Sequence, residues 1–481
     1  MAQNRAIFTL KNGRDAARRT ARTTYYLTVN LPPAFSASMQ TQLGADFSLF
    51  EKTLATEPPV SIRLNPAKRG YDAAGLAPVP WHPEGYYLPE RPVFTLDPVF
   101  HAGGYYVQEA SSMVLHEVLD QCVPSKYPLR VLDLCAAPGG KSTLLASWMP
   151  EGSLLLANEV IRSRVTVLKE NLERWGSPDT FTCSYDPEAF SKLNGFFDLV
   201  LVDAPCSGEG LFRKDPDAIQ EWSPEHVQLC SARQRRILAA AVKLVAPGGM
   251  LLYSTCTYNE LENDQNAQWL AENQKLTHLD IDLPTEWGIN ARDYGYQCYP
   301  HHLRGEGFYF AAFRQTRGVP FSGKPARYMD KLKSKSLHKR EEAALADWLD
   351  EDADFFFVQR PDDTVLGAPR HLKEDLLFLD AALPQGVWLR EMGAFKGKDL
   401  IPAQDLAMST AISADLPAVE LDREMSLLFL KKESILLPEA PKGWLLAQHR
   451  GLNLGWMKNL GNRVNNYLPK DWRIRMEIRE G

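Results

Sequence analysis

Long apolar runs are missing from this sequence. No stretch approaches the roughly 18 uninterrupted apolar residues that a membrane-spanning helix needs. The hydrophobic fraction of 44% and the charged fraction of 24% are those of an ordinary globular chain. We therefore expect a soluble protein with no membrane contact, and its 481 residues are enough for about three domains.

Two further absences concern charge and cysteine. The chain carries 54 basic and 60 acidic residues, for a net charge of -6, which excludes a protein that binds nucleic acid through overall positive charge. Its seven cysteines include no C-x-x-C pair, so we expect neither a disulfide framework nor a cysteine zinc site, and we predict no metal. Scattered thiols fit the reducing cytoplasm, where we expect the protein to act.

Composition and periodicity divide the chain into five regions. Residues 1–30 are rich in arginine and predict a basic, poorly ordered extension. Residues 31–127 combine helical spacing with short strand-like runs, which indicates a small α+β domain. Residues 128–316 alternate strands and helices. Residues 317–390 begin as a basic linker and continue as an intermediate region, and residues 391–481 end in a β-rich unit.

The alternating region predicts a doubly wound, mostly parallel α/β sheet. Short β-branched and aliphatic runs indicate strands that are buried on both faces. We place these strands at residues 130–134, 153–158, 180–183, 197–202, 250–255 and 307–313. Helical stretches fill the gaps, and the longest runs from residue 224 to residue 245, ahead of a Pro-Gly-Gly stop.

Two cysteines follow two of these strands directly. The sequence DAPCSGEG, residues 203–210, comes after the fourth strand and contains Cys206, whereas Cys256 follows the fifth strand within STCTY. Ligands of an open α/β sheet bind at the carboxyl ends of its strands. Two cysteines there predict a thiol nucleophile with a helper, although a glycine-rich turn with a core cysteine is the structural alternative for each motif alone.

A glycine pair and three acids indicate the cofactor. Gly139 and Gly140 follow the first strand, where glycine lets a backbone approach a ligand closely. The spacing of a P-loop and a full G-x-G-x-x-G are both absent. Instead, acids follow the second, third and fourth strands, and they are Glu159, Asp186 and Asp203. This pattern fits S-adenosylmethionine better than a dinucleotide, although Glu159 alone is also consistent with a helix cap.

Taken together, the motifs resemble those of the Sun (NSUN) family of RNA cytosine-5 methyltransferases. The motifs are YYVQEASSM, DLCAAPGGKS, NE, DAPCSGEG with the following RKDP, and STCTY, and they span roughly residues 61–314. The resemblance implies a Rossmann-like class I methyltransferase sheet after a small α+β domain. The carboxyl-terminal unit is similar to an RNA-binding PUA domain, as in the bacterial subgroup that acts on small-subunit (16S) ribosomal RNA.

The resemblance also implies roles for individual residues. Cys256 would attack C6 of the cytosine, because C5 is too weakly nucleophilic to accept a methyl group unaided. Asp203 would hold the base edge near N3, and Cys206 would help to remove the C5 proton. The expected S-adenosylmethionine site consists of Cys135, Ala136, Ala137, Pro138, Gly139, Gly140, Lys141, Glu159, Asp186 and Asp203. A solvated surface position is the alternative for Lys141.

Several alternatives stay open at this point. DNA cytosine-5 methyltransferases attack with the P-C cysteine, which would make Cys206 the nucleophile and Cys256 a core residue. The RNA could be tRNA, and a non-catalytic RNA-binding assembly factor could keep the same scaffold. An exocyclic amino methyltransferase would need an aromatic residue after the Asp-Ala-Pro sequence, and a Cys/His hydrolase would need a better placed histidine than His226 or His301.

Local patches are expected to contact the RNA. We predict that Arg63 and Asn65 are exposed beside aromatic residues and hold single-stranded RNA, with a purely structural role as the alternative. In the carboxyl-terminal unit, Lys458 and Arg463 are candidates, with an ordinary solvated face as the alternative. We expect a monomer whose partner is ribosomal RNA, free or within the assembled small subunit.

Overall fold

A pair of short helices and a small sheet form the amino-terminal part of the molecule. The computed structural model describes residues 30–123, 126–329, 331, 334–397 and 399–477. The first elements are α1 (Pro33–Leu43), α2 (Phe47–Leu54), β1 (Val60–Leu64), β2 (Ala77–Pro78), β3 (Gly85–Leu88), α3 (Pro98–His101), β4 (Tyr105–Tyr106) and α4 (Leu115–Cys122). The four strands pair antiparallel in the order β2-β3-β1-β4. Gly44, with a φ of 54°, ends α1 and divides the predicted helical stretch into a hairpin.

This α1–α2 hairpin packs against the loops that follow the two cysteines. Phe35 contacts the rings of Phe212 and Trp222, with centroids 5.0 and 5.8 Å apart. Phe50 meets Tyr258 edge to face at 5.2 Å. All five aromatic residues belong to one buried apolar cluster, so the hairpin is anchored to the loops that follow Cys206 and Cys256.

The central sheet contains nine strands. They are β5 (Arg130–Asp133), β6 (Leu154–Asn158), β7 (Thr180–Cys183), β8 (Phe197–Asp203), β9 (Val245–Thr255), β10 (Thr277–Leu279), β11 (Ile289–Arg292), β12 (Gly295–Cys298) and β13 (Phe308–Arg314). Their order is β11-β12-β13-β9-β8-β5-β6-β7, with β10 paired beside β13. The five neighbouring strands β9, β8, β5, β6 and β7 pair in parallel. The other four strands, β10 to β13, pair antiparallel beside β9. Strand order reverses between β5 and β8, which opens a crevice at their carboxyl ends.

The parallel strands are buried on both faces. Along β8, Val200 and Val202 enter one apolar cluster, whereas Leu199 and Leu201 enter the cluster on the opposite face. Five helices lie in the connections: α5 (Gly140–Trp148), α6 (Arg162–Trp175), α7 (Pro216–Glu221), α8 (Pro224–Leu244) and α9 (Asp264–Glu272). Burial on both faces explains why these strands are continuous apolar runs without alternation.

The connection between the longest helix, α8, and the following strand, β9, differs from the predicted one. Ser223 caps α8 by accepting the His226 N–H at 3.1 Å, as a serine before a proline predicts. The helix ends at Leu244, and β9 begins at once. Val245 pairs with Phe197 and Met250 pairs with Leu199, so residues 246–249 bulge out of the ladder. The Pro-Gly-Gly sequence therefore lies in a bulge of β9 and does not separate helix from strand.

A third sheet follows where the sequence predicted a basic linker and an intermediate region. Its elements, with two helices, are β14 (Lys335–Ser336), α10 (Lys339–Ala346), β15 (Phe355–Gln359), β16 (Thr364–Pro369), α11 (Lys373–Ala382), β17 (Arg390–Lys396) and β18 (Asp399–Pro402). The five strands pair antiparallel in chain order. Residue 390, the predicted boundary, begins β17 inside this sheet. Phe356 and Leu366 join the apolar core of the central sheet, so the chain from β15 onward is packed, whereas residues 317–329 contain neither a helix nor a strand.

The last sheet contains four strands. With two helices its elements are α12 (Gln404–Met408), β19 (Ala418–Glu420), α13 (Arg423–Lys431), β20 (Gly443–His449), β21 (Leu452–Asn459) and β22 (Val464–Asn466). Only Arg450 and Gly451 separate β20 from β21, and both have positive φ, at 51° and 71°. This geometry is that of a two-residue hairpin turn whose twist matches the strands. The unit shares an apolar cluster with the amino-terminal sheet.

The predicted α/β class is confirmed, but the central sheet is mixed and not mostly parallel, because β10 to β13 pair antiparallel beside the five parallel strands. This sheet lies between a small α+β part and β-rich carboxyl-terminal parts. The predicted basic extension, residues 1–30, lies outside the described residues except for its last position. Within the described part of the chain, no helix has the length and apolar character needed to cross a membrane.

The expectation that Arg63 and Asn65 are exposed is wrong. Each keeps only 1% of its surface accessible. The Arg63 guanidinium donates to Gln108 Oε1 at 2.8 Å and to Thr143 Oγ1 at 2.6 Å, and it stacks on the Trp175 ring at 4.5 Å. The Asn65 amide donates to the backbone oxygens of Gly103 and Trp175. Both side chains join the small sheet to the central domain and offer no surface to RNA.

Replacing Arg63 therefore tests a structural role. We expect Arg63→Met to lower the free energy of unfolding by roughly 3 kcal/mol, because Gln108 Oε1 is left buried without its donor. Urea unfolding followed by tryptophan fluorescence measures the change. The exposed Arg463 supplies the control, and Arg463→Met should stay within about 0.5 kcal/mol of the parent chain. Unchanged stability together with weaker RNA binding in Arg63→Met would contradict this assignment.

Candidate active site

The two cysteine loops leave the same edge of the central sheet. β8 and β9 are parallel neighbours, and Asp203 at the end of β8 lies opposite Ser254 near the end of β9. Cys206 is the third residue after β8, and Cys256 follows β9 directly. The structure thus brings together the two motifs that the sequence predicted to share a pocket.

The two cysteine side chains touch. Their sulfur atoms are 3.1 Å apart, which is the distance of a thiol hydrogen bond and longer than the roughly 2.05 Å of a disulfide. Cys206 is 4% exposed, whereas Cys256 is partly open. The hydrogen bond to Cys256, followed by burial, raises the pKa of Cys206 well above its usual value. Cys206 therefore holds its proton at neutral pH, and Cys256 is the sulfur that an incoming molecule can reach.

An ion pair lies beside the thiols. Lys141 Nζ donates to Asp203 Oδ2 at 2.8 Å, and Ser254 Oγ donates to Asp203 Oδ1 at 2.8 Å. Burial opposes the charge on Lys141, but the Asp203 carboxylate outweighs it and, with a smaller contribution from Cys256, raises the pKa of Lys141. The Lys141 ammonium also lies 5.1 Å from the centre of the Phe308 ring. Lys141 is therefore an oriented cation inside the site, and the solvated alternative does not apply.

The predicted cofactor loop bridges β5 and α5. Gly139 has a φ of 114°, which disfavours any side chain, and it precedes the first residue of α5. Side chains of α6 hold the loop: Arg164 donates to the Ala137 oxygen at 2.6 Å, and Asn171 donates to the Pro138 oxygen at 2.8 Å. The loop is therefore fixed in shape at the crevice between β5 and β8.

The predicted acids follow neighbouring strands at this crevice. Glu159 follows β6, and its side chain is 3% exposed and pairs with Arg164 at 3.1 Å. Its Oε1 also accepts the Ile161 N–H, so Glu159 additionally orders the turn into α6. Asp186 follows β7 and receives both terminal nitrogens of Arg236, at 2.9 and 3.0 Å. These bonds lower the pKa of Asp186, which keeps it ionised.

This donor set fits S-adenosylmethionine. The ligand has ribose hydroxyls and amino groups that need acceptors, a cationic sulfonium, and a carboxylate that needs a cation. Glu159, Asp186 and Asp203 supply carboxylate oxygens along one crevice, and Lys141 supplies the cation. A site for a dinucleotide such as NAD would need the G-x-G-x-x-G motif, which the sequence lacks.

Sequence reasoning missed two buried acids next to the cysteines. Glu209 is 1% exposed and Glu262 is 0% exposed. Glu209 stands inside the DAPCSGEG motif, but no role was expected for it. The sequence did offer one signal for Glu209, because a charged residue in a motif that directly follows a buried strand is often buried with hydrogen-bond partners.

Two predicted RNA-contacting residues belong to the last sheet and its turns. Lys458 lies on β21, with its ammonium 5.0 Å from the centre of the Trp444 ring. Arg463 lies in the exposed turn between β21 and β22. A basic side chain beside an aromatic ring is a combination that binds single-stranded nucleic acid in other proteins. Contact of Lys458 or Arg463 with RNA stays a prediction.

Three family models match this chain. The model described as "16S rRNA methyltransferase RsmB/F" matches residues 124–314. The model of the "N-terminal domain of 16S rRNA methyltransferase RsmF" matches residues 31–110. The "Methyltransferase RsmF PUA domain" matches residues 416–474, which contain the four-stranded last sheet.

Curated relatives are similar to this chain in sequence over most of its length. The ribosomal RNA small subunit methyltransferase F of Shewanella loihica is 31% identical over 423 residues, which cover 82% of this chain and 83% of the relative. The protein of the same name from Erwinia tasmaniensis is also 31% identical, with coverage of 92% and 97%.

Solved structures from Pyrococcus horikoshii share the fold. A methyltransferase homolog protein is 27% identical with a TM-score of 0.51, over 60% of this chain and 96% of that one. NSun6, solved with SFG, an analogue of S-adenosylmethionine, has a TM-score of 0.51 at 21% identity, over 60% of this chain and 98% of that one, and supports the fold alone.

The comparisons confirm the resemblance drawn from the motifs. The Rossmann-like methyltransferase sheet and the PUA domain at the carboxyl-terminal end are both confirmed. Because the relatives match at more than 30% identity over most of both chains, the chain belongs to the RsmB/F family of 16S rRNA methyltransferases.

Proposed function

We propose that this protein transfers a methyl group from S-adenosylmethionine to C5 of a cytosine in 16S rRNA. The observation that carries the proposal is the pair of thiols 3.1 Å apart at the ends of two adjacent parallel strands, beside the Asp203–Lys141 ion pair. Membership of a family of 16S rRNA methyltransferases supports the substrate. A substrate of this kind implies that the protein acts in the cytoplasm, where ribosomes are assembled.

We infer that Cys256 is the nucleophile. Attack of its thiolate on C6 turns the pyrimidine into an enamine, whose C5 is then reactive. Cys256 is the more exposed of the two sulfurs, and it is close enough to Lys141 to raise the pKa of that lysine. The ammonium group therefore stabilises negative charge at the position where the attacking sulfur lies.

Asp203 and Cys206 serve the remaining steps of this proposal. In this proposal the proton lost by the Cys256 thiol reaches N3 of the base through Asp203, which Lys141 and Ser254 hold, and it neutralises the negative charge that the attack leaves on the ring. After methyl transfer the C5 proton leaves and the bond between C6 and Cys256 breaks. Cys206 holds a proton at neutral pH, so it gives that proton to the departing Cys256 sulfur 3.1 Å away and takes the C5 proton in its place, directly or through water. The proton on N3 leaves through Asp203.

The methyl donor would be held in the crevice between β5 and β8. S-adenosylmethionine supplies an electrophilic methyl group when bound. The backbone from Cys135 to Gly140 would line the site, Glu159 would accept hydrogen bonds from the ribose hydroxyls, and Asp186 would accept one from the adenine amino group. Lys141, which pairs with Asp203, would supply the cation for the methionine carboxylate.

The remaining domains would bind the RNA. We assign catalysis to residues 128–316 and RNA contact to the amino-terminal domain and the PUA domain, including Lys458 and Arg463. The target cytosine must be unstacked before a thiol can reach C6, so a loop or a flipped base is expected. A single copy of the chain supplies every residue of this proposal, which favours a monomer.

Mapping of 5-methylcytosine tests reaction and substrate together. We expect total RNA from cells without the gene to lose 5-methylcytosine at one or more 16S rRNA positions, and a plasmid copy to restore it. A plasmid copy with Cys256→Ala should not restore it. Loss of the mark from tRNA alone would move the substrate to tRNA, and an unchanged map would favour a non-catalytic assembly factor.

Single cysteine variants test which sulfur attacks. We expect Cys206→Ala to accumulate a covalent protein–RNA complex that survives denaturing gel electrophoresis, because the adduct forms but is not resolved. Cys256→Ala should form no complex and should lose methyl transfer. The reverse pattern would make Cys206 the nucleophile, as in the DNA enzymes.

Glu159→Gln tests the cofactor site. We expect the variant to bind S-adenosylmethionine about tenfold more weakly, because a neutral amide replaces a carboxylate that accepts hydrogen bonds. Isothermal titration calorimetry gives the affinity. Glu188→Gln is the matched control, since Glu188 is 71% exposed and pairs only with Arg236 in the described structure. Equal affinities in the two variants would remove Glu159 from the site.

A further inference from the structure

We propose that Glu209 and Glu262 are positioning residues that hold the two catalytic cysteines in register, each carboxylate anchoring the loop of the other cysteine. We call this pair the carboxylate clamp. Glu209 follows Cys206 in the loop after β8, and Glu262 follows Cys256 in the segment after β9. The inference rests on the proposed function, in which Cys256 forms the adduct and Cys206 resolves it.

Glu262 holds the loop of Cys206 from both sides. Its Oε2 accepts the Ser207 N–H at 2.9 Å and the Gln234 Nε2–H at 2.7 Å. The same Gln234 nitrogen donates to the Pro205 oxygen at 3.1 Å. Glu262 therefore fixes the residue after Cys206 directly and the residue before it through Gln234.

Glu209 holds the loop of Cys256 in the same manner. Its Oε2 accepts the Thr257 hydroxyl at 2.8 Å and the Tyr258 N–H at 3.0 Å. Its Oε1 accepts the Trp222 Nε1–H at 2.9 Å. The two residues after Cys256 are thus bound to a carboxylate that belongs to the loop of Cys206.

Further contacts join the loops directly. Ser207 Oγ and Thr257 Oγ1 are 3.0 Å apart, and the Gly210 N–H donates to the Cys256 oxygen at 2.9 Å. A Cβ at Gly210 would lie 2.8 Å from that oxygen, so only glycine allows this approach. Strand pairing alone ends at Asp203 and Ser254, and these contacts continue the alignment beyond it.

The two acids use their oxygens differently. Both oxygens of Glu209 accept from donors, so a glutamine there would turn an NH2 group toward a donor. Both named donors to Glu262 reach Oε2, and Oε1 has no hydrogen-bond partner among the described residues, so a glutamine there keeps both bonds and an apolar side chain is needed to remove them. Burial raises the pKa of both acids, to about 7 for Glu262, and either protonation state of Glu262 leaves Oε2 free to accept.

The proposal predicts opposite defects for two variants. Glu262→Met removes the acceptor of Ser207 and Gln234 and should misplace Cys206, so the covalent RNA complex forms but is resolved between about tenfold and about a hundredfold more slowly. Glu209→Gln should misplace Cys256, so the complex forms more slowly by a similar factor. Quenched-flow measurement of the covalent complex with 16S rRNA and labelled S-adenosylmethionine separates formation from resolution in the full chain.

Glu260→Gln is the matched control. Glu260 lies two residues before Glu262, is 56% exposed and pairs with Arg292, so both rates should stay close to those of the parent chain. If Glu262→Met or Glu209→Gln fails to fold, Gln234→Met and Thr257→Val remove one contact of each half of the clamp and should show the same defects more weakly. Equal effects on formation and resolution, or rates like those of Glu260→Gln, would overturn the clamp.

The outcome separates the clamp from the proposed function. Failure of the parent chain to methylate 16S rRNA, or full activity in Cys256→Ala, would contradict the proposed function itself. If the parent chain and both cysteine variants behave as expected, but Glu209→Gln and Glu262→Met do not differ in which rate they slow, the clamp alone is contradicted.

Discussion

The pairing of β8 with β9 is the constraint on which the rest of the site depends. The ladder places Asp203 opposite Ser254, so the loops that carry Cys206 and Cys256 start side by side at one edge of the sheet. A slip by one residue would move each side chain of β8 from one apolar core into the other, where its size and shape would not match the packing, because successive side chains alternate between the two cores. The register of the core therefore determines the distance between the two thiols.

Charge in the site is arranged in pairs and in networks of donors. Lys141 stabilises Asp203, and Arg236 and Arg164 hold the acids expected to contact the cofactor. Buried carboxylates without such partners would protonate or destabilise the fold. The polar groups that move protons or hold a base are thus oriented before any substrate arrives, which is the condition for electrostatic stabilisation of a reaction.

The sequence predicted the elements whose signals are local. Apolar runs with glycine and proline at their ends marked the strands, and the cysteines at two strand ends marked the pocket. Arg63 could not be placed in this way, because its burial depends on Gln108, Thr143 and Trp175, which are far away in the chain. The strands of the third sheet were missed because a basic stretch precedes them. The partners of Glu209 and Glu262 likewise exist only after the two loops have met.

The α1–α2 hairpin has a consequence for how this catalytic domain can be combined with others. Phe35 and Phe50 complete the apolar cluster that contains Phe212, Trp222 and Tyr258, and those three residues belong to the segments that carry the cysteines. The hairpin is therefore not an exchangeable module. A fusion that joins the central sheet to a different RNA-binding domain must include these two helices. Without them, the segments that carry the cysteines would lose the aromatic residues that pack behind them.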